Sequence, residues 1–260
     1  MSEGLKSFDD RKAESEIERK YFEDLVVLGN AVPDEISDNR ITVCTVAFSK
    51  EYGLIRIYPV PPKSPMNNRW NVVSLPLERN KKDSRDESWK IQGSKTEWET
   101  LANKITLKGK LNRNQWIELI GYLKEHHSYG CIEDINDKKL SLGIIVPKII
   151  GKKLEERKDV DTAYQTTLIN DNLFMTVNNY GVRPVISYSC PKCRTKKQQH
   201  NQGVLEWGVY ESLRREQIHK DQVWHNLHLD DSGYDKTFLV GNMNLHRSKF
   251  LIISIFRYKL

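Results

Sequence analysis

The sequence predicts a β-rich α+β fold, on three observations. Three strand-length apolar runs crowd together at residues 41–48, 54–60 and 70–77. Two amphipathic stretches with capping signals follow them. Strand patterns then return at 142–146, and the chain finishes on two paired apolar runs.

Within the first run Val43, Thr45 and Ala47 alternate with Cys44, Val46 and Phe48, the period of two expected of a strand with differently used faces. The polar turn Ser49-Lys50-Glu51-Tyr52-Gly53 leads into the second run. There Leu54, Ile55, Ile57 and Tyr58 surround Arg56, and Pro59 marks a strand end, because it donates no ladder hydrogen bond. Arg56 either reaches solvent on the outer face or points at an anionic partner. Upstream, Ile17, Tyr21, Phe22, Leu25 and Val26 fall on a helical spacing, with Asp9 or Asp10 as cap, which predicts an N-terminal helix over 9–24. Residues 25–28 then read as a short strand or as the helix end, broken by Gly29-Asn30.

Downstream, Ser94 with Glu97 forms a capping signal ahead of Trp98, Leu101 and Ile105, and Asn112 with Gln115 a looser one ahead of Trp116, Leu119, Ile120 and Leu123. Both stretches are expected to be helices whose tryptophans face the core. His126-His127 closes the second, where a cation favours the negative helix end. Further strands are expected at 142–146, 149–151, 173–177 and 182–188. Helices are expected at 204–215 (Leu205, Val209, Leu213) and 222–229, and a final hairpin over 238–241 and 250–258.

A chain of 260 residues accommodates one large domain or two modest ones. Its 41 basic and 35 acidic residues give a net charge of +6, which leans toward a polyanionic partner without the lopsidedness of a non-specific DNA coat. Four cysteines in a chain this size are too few for a disulfide framework and suit a reducing compartment. The start, Met1-Ser2-Glu3-Gly4, has no basic and apolar leader, and the late run 250–256 is too short to span a bilayer. A cytoplasmic protein with no membrane partner is expected.

Cys190-Pro191-Lys192-Cys193 has the spacing with which two thiolates grip one tetrahedral zinc. His200 is the best third ligand. His219, His225, His228 and His246 compete for the fourth place, with Cys44 and Cys131 also open. The rival readings are plain structural cysteines and a redox pair. The redox reading needs a strand-to-helix setting that the basic residues after Cys193 do not suggest.

Val43-Cys44-Thr45-Val46, Ile55-Arg56-Ile57-Tyr58-Pro59-Val60-Pro61 and Arg85-Asp86-Glu87-Ser88-Trp89 together resemble an uncharacterised bacterial family described as dual-OB-domain proteins. Leu142-Gly143 with Pro147, the Cys190/Cys193 pair, Glu206-Trp207 and the stretch 238–241 look like later landmarks of the same family. The sequence departs from that pattern at Asp86, where the family carries proline, and at Gly208, where an acidic residue is common after the tryptophan. A catalytic use of that acidic position would not carry over. The resemblance implies two small OB-like β-barrels with inserted amphipathic helices. The expected division is an N-terminal helical leader at 1–24, a first barrel with a helical insertion at 25–130, and a second barrel with the CxxC knuckle and a helix at 131–260. By analogy with other OB folds it also implies nucleic-acid contact.

OB barrels set basic side chains on phosphates and aromatic ones on bases. Arg56, Tyr58, Arg69, Trp70, Arg85 and Trp89 interleave cations with rings in the first predicted barrel, and Lys192, Arg194, Lys196 and Lys197 add a basic loop in the second half. For each the plainer alternative is barrel core or a solvated rim. No phosphate-loop, zinc-protease or nucleophile-elbow motif is present, so a non-enzymatic reading is favoured. Glu206 with His200 is the nearest approach to an acid–base pair. The leading expectation is a nucleic-acid-binding recognition subunit, selective for single strands or structure, of a bacterial multiprotein system such as phage defence. The alternatives are a protein-interaction adaptor and, third, a metal-dependent nuclease or hydrolase.

Overall fold

The computed structural model describes residues 17–36, 40–157, 175–215 and 221–260. Its first half is a ring of strands. β1 (Arg19–Asn30), β3 (Arg40–Ser49), β4 (Gly53–Val60), β5 (Asn71–Arg79) and β6 (Ser88–Ile91) follow one another in the order β1-β3-β4-β6-β5, and the pairing of β1 with β5 closes the circle. Four of these contacts are antiparallel; β4 with β6 is parallel. Short β2 (Asp34–Ile36) pairs with β3, and β7 (Thr106–Lys110) with β5. A closed five-stranded barrel of this kind agrees with the OB-like expectation. Inside it Met66, Leu75, Leu77, Ile55, Ile57 and Trp89 are fully buried.

β1 corrects the end of the expected N-terminal helix, from Arg19 to Asp24. Residues 1–16 lie outside the described residues, but Arg19–Asn30 is a strand. Phe22 and Leu25 both face the core because the register against β5 shifts between them, leaving Glu23 and Asp24 exposed. A β-bulge adds one residue to the inward spacing. The resulting interval of three mimics a helix turn.

The segment Lys95–Lys104 winds as a 3-10 helix, with the Glu97 carboxylate accepting from the Ser94 N–H at 2.7 Å. α1 (Arg113–His126) is a full α-helix. Its Asn112 side chain accepts from the Gln115 N–H (3.1 Å), and the Gln115 side chain accepts from the Asn112 N–H (2.9 Å). Trp98 is buried in the barrel core, whereas Trp116 is only partly buried.

The second half is built differently. β9 (Lys148–Glu156), β10 (Val182–Ser189) and β11 (His200–Gly203) form one three-stranded sheet. β8 (Leu142–Ile145), β12 (Tyr234–Asn242) and β13 (Phe250–Lys259) form another. They meet at the isolated bridge Val204–Ile252, and no ladder closes them into a second ring among the described residues. Among the described residues three α-helices decorate them: α2 (Ile132–Asp137), α3 (Trp207–Arg215) and α4 (Gln222–Asn226). The β12–β13 hairpin stands where the paired apolar runs place it. The strand expected at 173–177 falls partly outside the described residues, and Val177–Asn179 is a 3-10 turn. No helix among the described residues is long and apolar enough to cross a membrane.

The halves share a core. Leu28, Val46, Phe48 and Leu54 of the barrel pack with Ile120 and Leu123 of α1 and with Leu142, Ile144, Leu239, Ile253 and Phe256. At about 1.5–3 kcal/mol for each such side chain removed from water, this seam is a major source of stability. Gly29 makes the closest approach there: a Cβ on it would lie 2.6 Å from that of Ser254, so only glycine lets β1 reach β13. The stretch between β11 and α3 also crosses the seam, with the Val32 N–H donating to the Leu205 carbonyl at 2.7 Å and the Leu205 N–H to the Ile252 carbonyl at 2.7 Å.

Candidate metal centre

β10 and β11 form a hairpin whose connection carries Cys190 and Cys193, and His200 opens β11 opposite Tyr188. A third sulfur arrives from elsewhere. Cys131 is the N-cap of α2, and its backbone N–H donates to the Asp134 carboxylate at 2.8 Å. Two backbone contacts dock its segment on the CxxC turn: the Lys192 N–H donates to the Gly130 carbonyl (2.9 Å), and the Arg194 N–H to the Cys131 Sγ (3.4 Å). Arg194 then spans to Asp134 (3.0 Å) and Asp137 (2.6 Å) of α2.

The three Sγ atoms and the imidazole lie within 4.8 Å of one another, and Cys131 Sγ is 3.4 Å from His200 Nε2. Four bonds of about 2.3 Å to sulfur and about 2.0 Å to nitrogen in a tetrahedron put ligand atoms roughly 3.5–3.8 Å apart. The cluster therefore closes on one ion with a small contraction. All four cysteines of the chain are free thiols. Burial pushes the Cys190 thiol up to about 12, the Ile132 N–H works against it, and the neighbouring Cys131 and Cys193 add to it. Burial also raises Cys193, but the Thr195 hydroxyl and backbone N–H groups outweigh it, and the net direction is down. Burial holds His200 below the ordinary value of 6.5, with Glu133 opposing, which favours the neutral, ligating imidazole. A Cys3His cluster that can hold a metal ion is thus assembled from Cys131, Cys190, Cys193 and His200.

Of the other candidates for the fourth position, His219 lies outside the described residues. His225 is on α4, His228 stacks on Tyr234, and Cys44 lies 3.5 Å from Arg56. A CxxC turn between two antiparallel strands is not the strand-to-helix setting of a redox pair. Nor do His200 and Glu206 work together. His200 faces the sulfurs, while the Glu206 carboxylate accepts from Arg69 and from the Ile255 N–H (2.6 Å).

The residues expected to meet nucleic acid divide into two groups. Arg56 is 4% exposed, and its guanidinium donates to the Ser141 carbonyl (3.3 Å) and hydroxyl (3.4 Å). Arg85, 9% exposed, is locked on Asp83 and donates to the Asn242 carbonyl at 2.9 Å. Trp89 is fully buried, edge-on to Phe22 and Tyr52. These three are corrected from binding residues to structural ones: their partners are internal, and two of the three bind the halves together. Tyr58 is half-buried, and burial pushes its phenol up to about 12. Arg69 pairs with Glu206 and donates to the Ile255 carbonyl at 3.0 Å. Trp70 stacks on Trp116 with ring centroids 5.3 Å apart. Lys192, Lys196 and Lys197 are exposed on the loop that the candidate ligands bracket, and none of their ammonium groups has a partner among the described residues.

Residues 22–119 match a family model described as a domain of unknown function, DUF8758. No curated protein sequence matches the chain. The DUF8758 match runs from within β1 into α1 and so takes in the closed ring apart from the first three residues of β1. It stops short of every residue of the metal cluster. Cys131, one of the candidates the sequence left open, had no local signal to single it out. It stands alone in the sequence, and only the fold of α2 against the CxxC turn brings it in.

Proposed function

We propose that this chain is a non-catalytic nucleic-acid-binding protein whose second half is braced by a structural zinc ion. The observation that carries the reading is the Cys3His cluster together with the loop it anchors. Three thiolates and an imidazole are the soft, tetrahedral donor set that suits zinc, and four protein ligands leave no open position for a substrate. The ion would tie α2 to the β10–β11 hairpin and stiffen the loop bearing Lys192, Lys196 and Lys197. Three exposed ammonium groups without carboxylate partners, on a rigid loop, suit a phosphate backbone. The reading moves the contact away from the barrel arginines, which are consumed internally.

The test is made on the full chain. Zinc is counted by elemental analysis. Fluorescence anisotropy then follows binding of labelled single-stranded DNA, duplex DNA and RNA across a salt series. One zinc per chain and binding that weakens with salt are expected. Each phosphate contact contributes roughly 0.7 to the salt slope on a single strand. The triple change Lys192→Glu, Lys196→Glu, Lys197→Glu should therefore flatten the slope by about 2. Absence of binding to all three probes at low salt overturns the proposal.

A further inference from the structure

A groove runs beside the seam, between the barrel corner at Arg69 and Trp70 and the second half at Asn226 and Arg257. It consists of two adjoining cavities of about 450 Å3 and about 320 Å3 that share these four residues. Three properties single it out.

The first is charge. Arg69 and Arg257 both line the groove, and Glu206 is the carboxylate that faces them. Glu206 is already committed to Arg69 and to the Ile255 N–H. The Arg257 guanidinium makes no hydrogen bond or ion pair among the described residues, and the residue is partly buried. Lys110 at the rim adds a second unmatched cation. Burial pushes the Arg257 pKa down, Glu206 opposes this, and the charge of Arg69 adds to it. An anion in the groove would relieve that cost, because pairing offsets the partial desolvation of the cation.

The second is the wall of flat rings. Trp70 lies on Trp116 with an interplanar angle of 10°, and His228 lies on Tyr234 with centroids 4.1 Å apart and an angle of 4°. All four line the smaller cavity. The third is backbone geometry. Trp70 (φ 72°) and His228 (φ 49°) are two of only four non-glycine residues with positive φ among the described residues. A bulky residue held in that region costs on the order of 1–3 kcal/mol and persists where surrounding structure imposes it. Here the Trp70 N–H donates to the Val27 carbonyl (2.8 Å), and its carbonyl accepts from the Leu111 N–H (2.9 Å), which turns the indole into the groove wall.

We infer that this groove binds a nucleotide, with Arg257 taking a phosphate and the Trp70/Trp116 and His228/Tyr234 pairs receiving the base. The inference deepens the nucleic-acid reading above, on which it rests, and adds a site that the basic loop does not contain. Cavities of a few hundred Å3 have the size of small-ligand sites. Base stacking on aromatic rings tolerates any base, because each has a π face. The same chemistry is presented by a free nucleotide and by one unit of a strand.

Isothermal titration with a 5′-mononucleotide mixture, with inorganic phosphate and with a single-stranded oligonucleotide distinguishes these sources. Each is run on the wild type, on Arg257→Gln, on Arg257→Lys and on the triple lysine variant. Thermal melting confirms that every variant is folded. The expected result is a loss of about tenfold or more in Arg257→Gln, the scale of one charge-assisted hydrogen bond, with partial rescue in Arg257→Lys. Mononucleotide binding lost in Arg257→Gln supports the site as one for free nucleotides or strand ends. Binding of the oligonucleotide alone, lost in the same variant, supports an internal nucleotide. Strand binding that survives Arg257→Gln but falls in the triple variant overturns the groove and leaves the loop reading standing. Mononucleotide binding without any strand binding does the reverse.

Discussion

The two halves of this protein solve the same problem by different means. In the first, β1 pairs with both β3 and β5, so the ring has no free edge and the core is sealed by strands. In the second, two three-stranded sheets pack on a common core that includes Ile186, Tyr188, Phe238 and Ile255, with one isolated bridge and no shared ladder between them among the described residues, and α2 and the β10–β11 hairpin converge on a cysteine–histidine cluster. The barrel is held by its hydrogen-bond ladder. The second half has its own apolar core, and on the zinc reading proposed above a staple would add to it where a ladder is missing. Zinc-dependent domains draw folding free energy from the metal in the same manner.

The largest effect should therefore come from removing the metal ligands. Chelation, or Cys190→Ser with Cys193→Ser, should strip hydrogen-exchange protection from β10, β11 and α2 while β3 and β4 keep theirs. The cost should be several kcal/mol, given that structural zinc in small domains contributes on the order of 10 kcal/mol of apparent binding free energy. Equal loss of protection in both halves, or none, would contradict the division of labour drawn here.

A smaller loss is expected from Arg85→Ala. That change leaves Asp83 buried with its charge unpaired and removes the hydrogen bond from the barrel side to the Asn242 carbonyl at the end of β12. Breaking a buried pair by removing one partner costs about 3–5 kcal/mol. Chemical denaturation should show a lower midpoint. Because the bond crosses the seam, the two halves should also begin to unfold at separable concentrations. A surface arginine used for binding would leave the midpoint unmoved.

What was readable in the sequence follows from how local each signal is. The alternation around Val43 to Phe48, the caps at Ser94/Glu97 and Asn112/Gln115 and the last hairpin all depend on neighbours within a few residues, and each appears in the fold. β1 misled because its bulge reproduces a helical interval. Arg56 looked like an outward cation because its partner Ser141 lies in the other half, and Arg85 because its local pairing with Asp83 is buried by a contact with the distant Asn242 carbonyl. Two thirds of the cluster's sulfur was visible as a CxxC. Cys131 was only one of several open candidates, since nothing in its surroundings along the chain sets it apart from Cys44 or the competing histidines. Arg257 was hidden inside an apolar strand, and its lack of a partner is a property of three dimensions.

The smallest effect is on acid stability, and it too bears on the seam. Burial raises the Asp83 carboxyl, but hydrogen bonds from Arg85 and Ser88 outweigh it, and its pKa lies below the ordinary 3.8. Asp235 is depressed in the same way: burial raises it, while Lys124 of α1 and the Tyr258 hydroxyl more than compensate. A carboxylate whose folded pKa is depressed contributes stability that is fully present above its unfolded value. That contribution disappears as pH falls through the folded one. Unfolding free energy should therefore be level in the mildly acidic range and decline once pH drops below about 4. Asp83→Asn removes one of the two groups. It should be less stable than wild type at neutral pH, yet show a shallower decline in acid, because the asparagine has no proton to gain. Since Arg85 joins the barrel side to β12 and Lys124 joins α1 to the β12–β13 pair, acid should loosen the seam before it melts the barrel core. Tryptophan fluorescence can see the order: the Trp70–Trp116 stack beside the seam should respond at higher pH than Trp89, which is sealed in the ring.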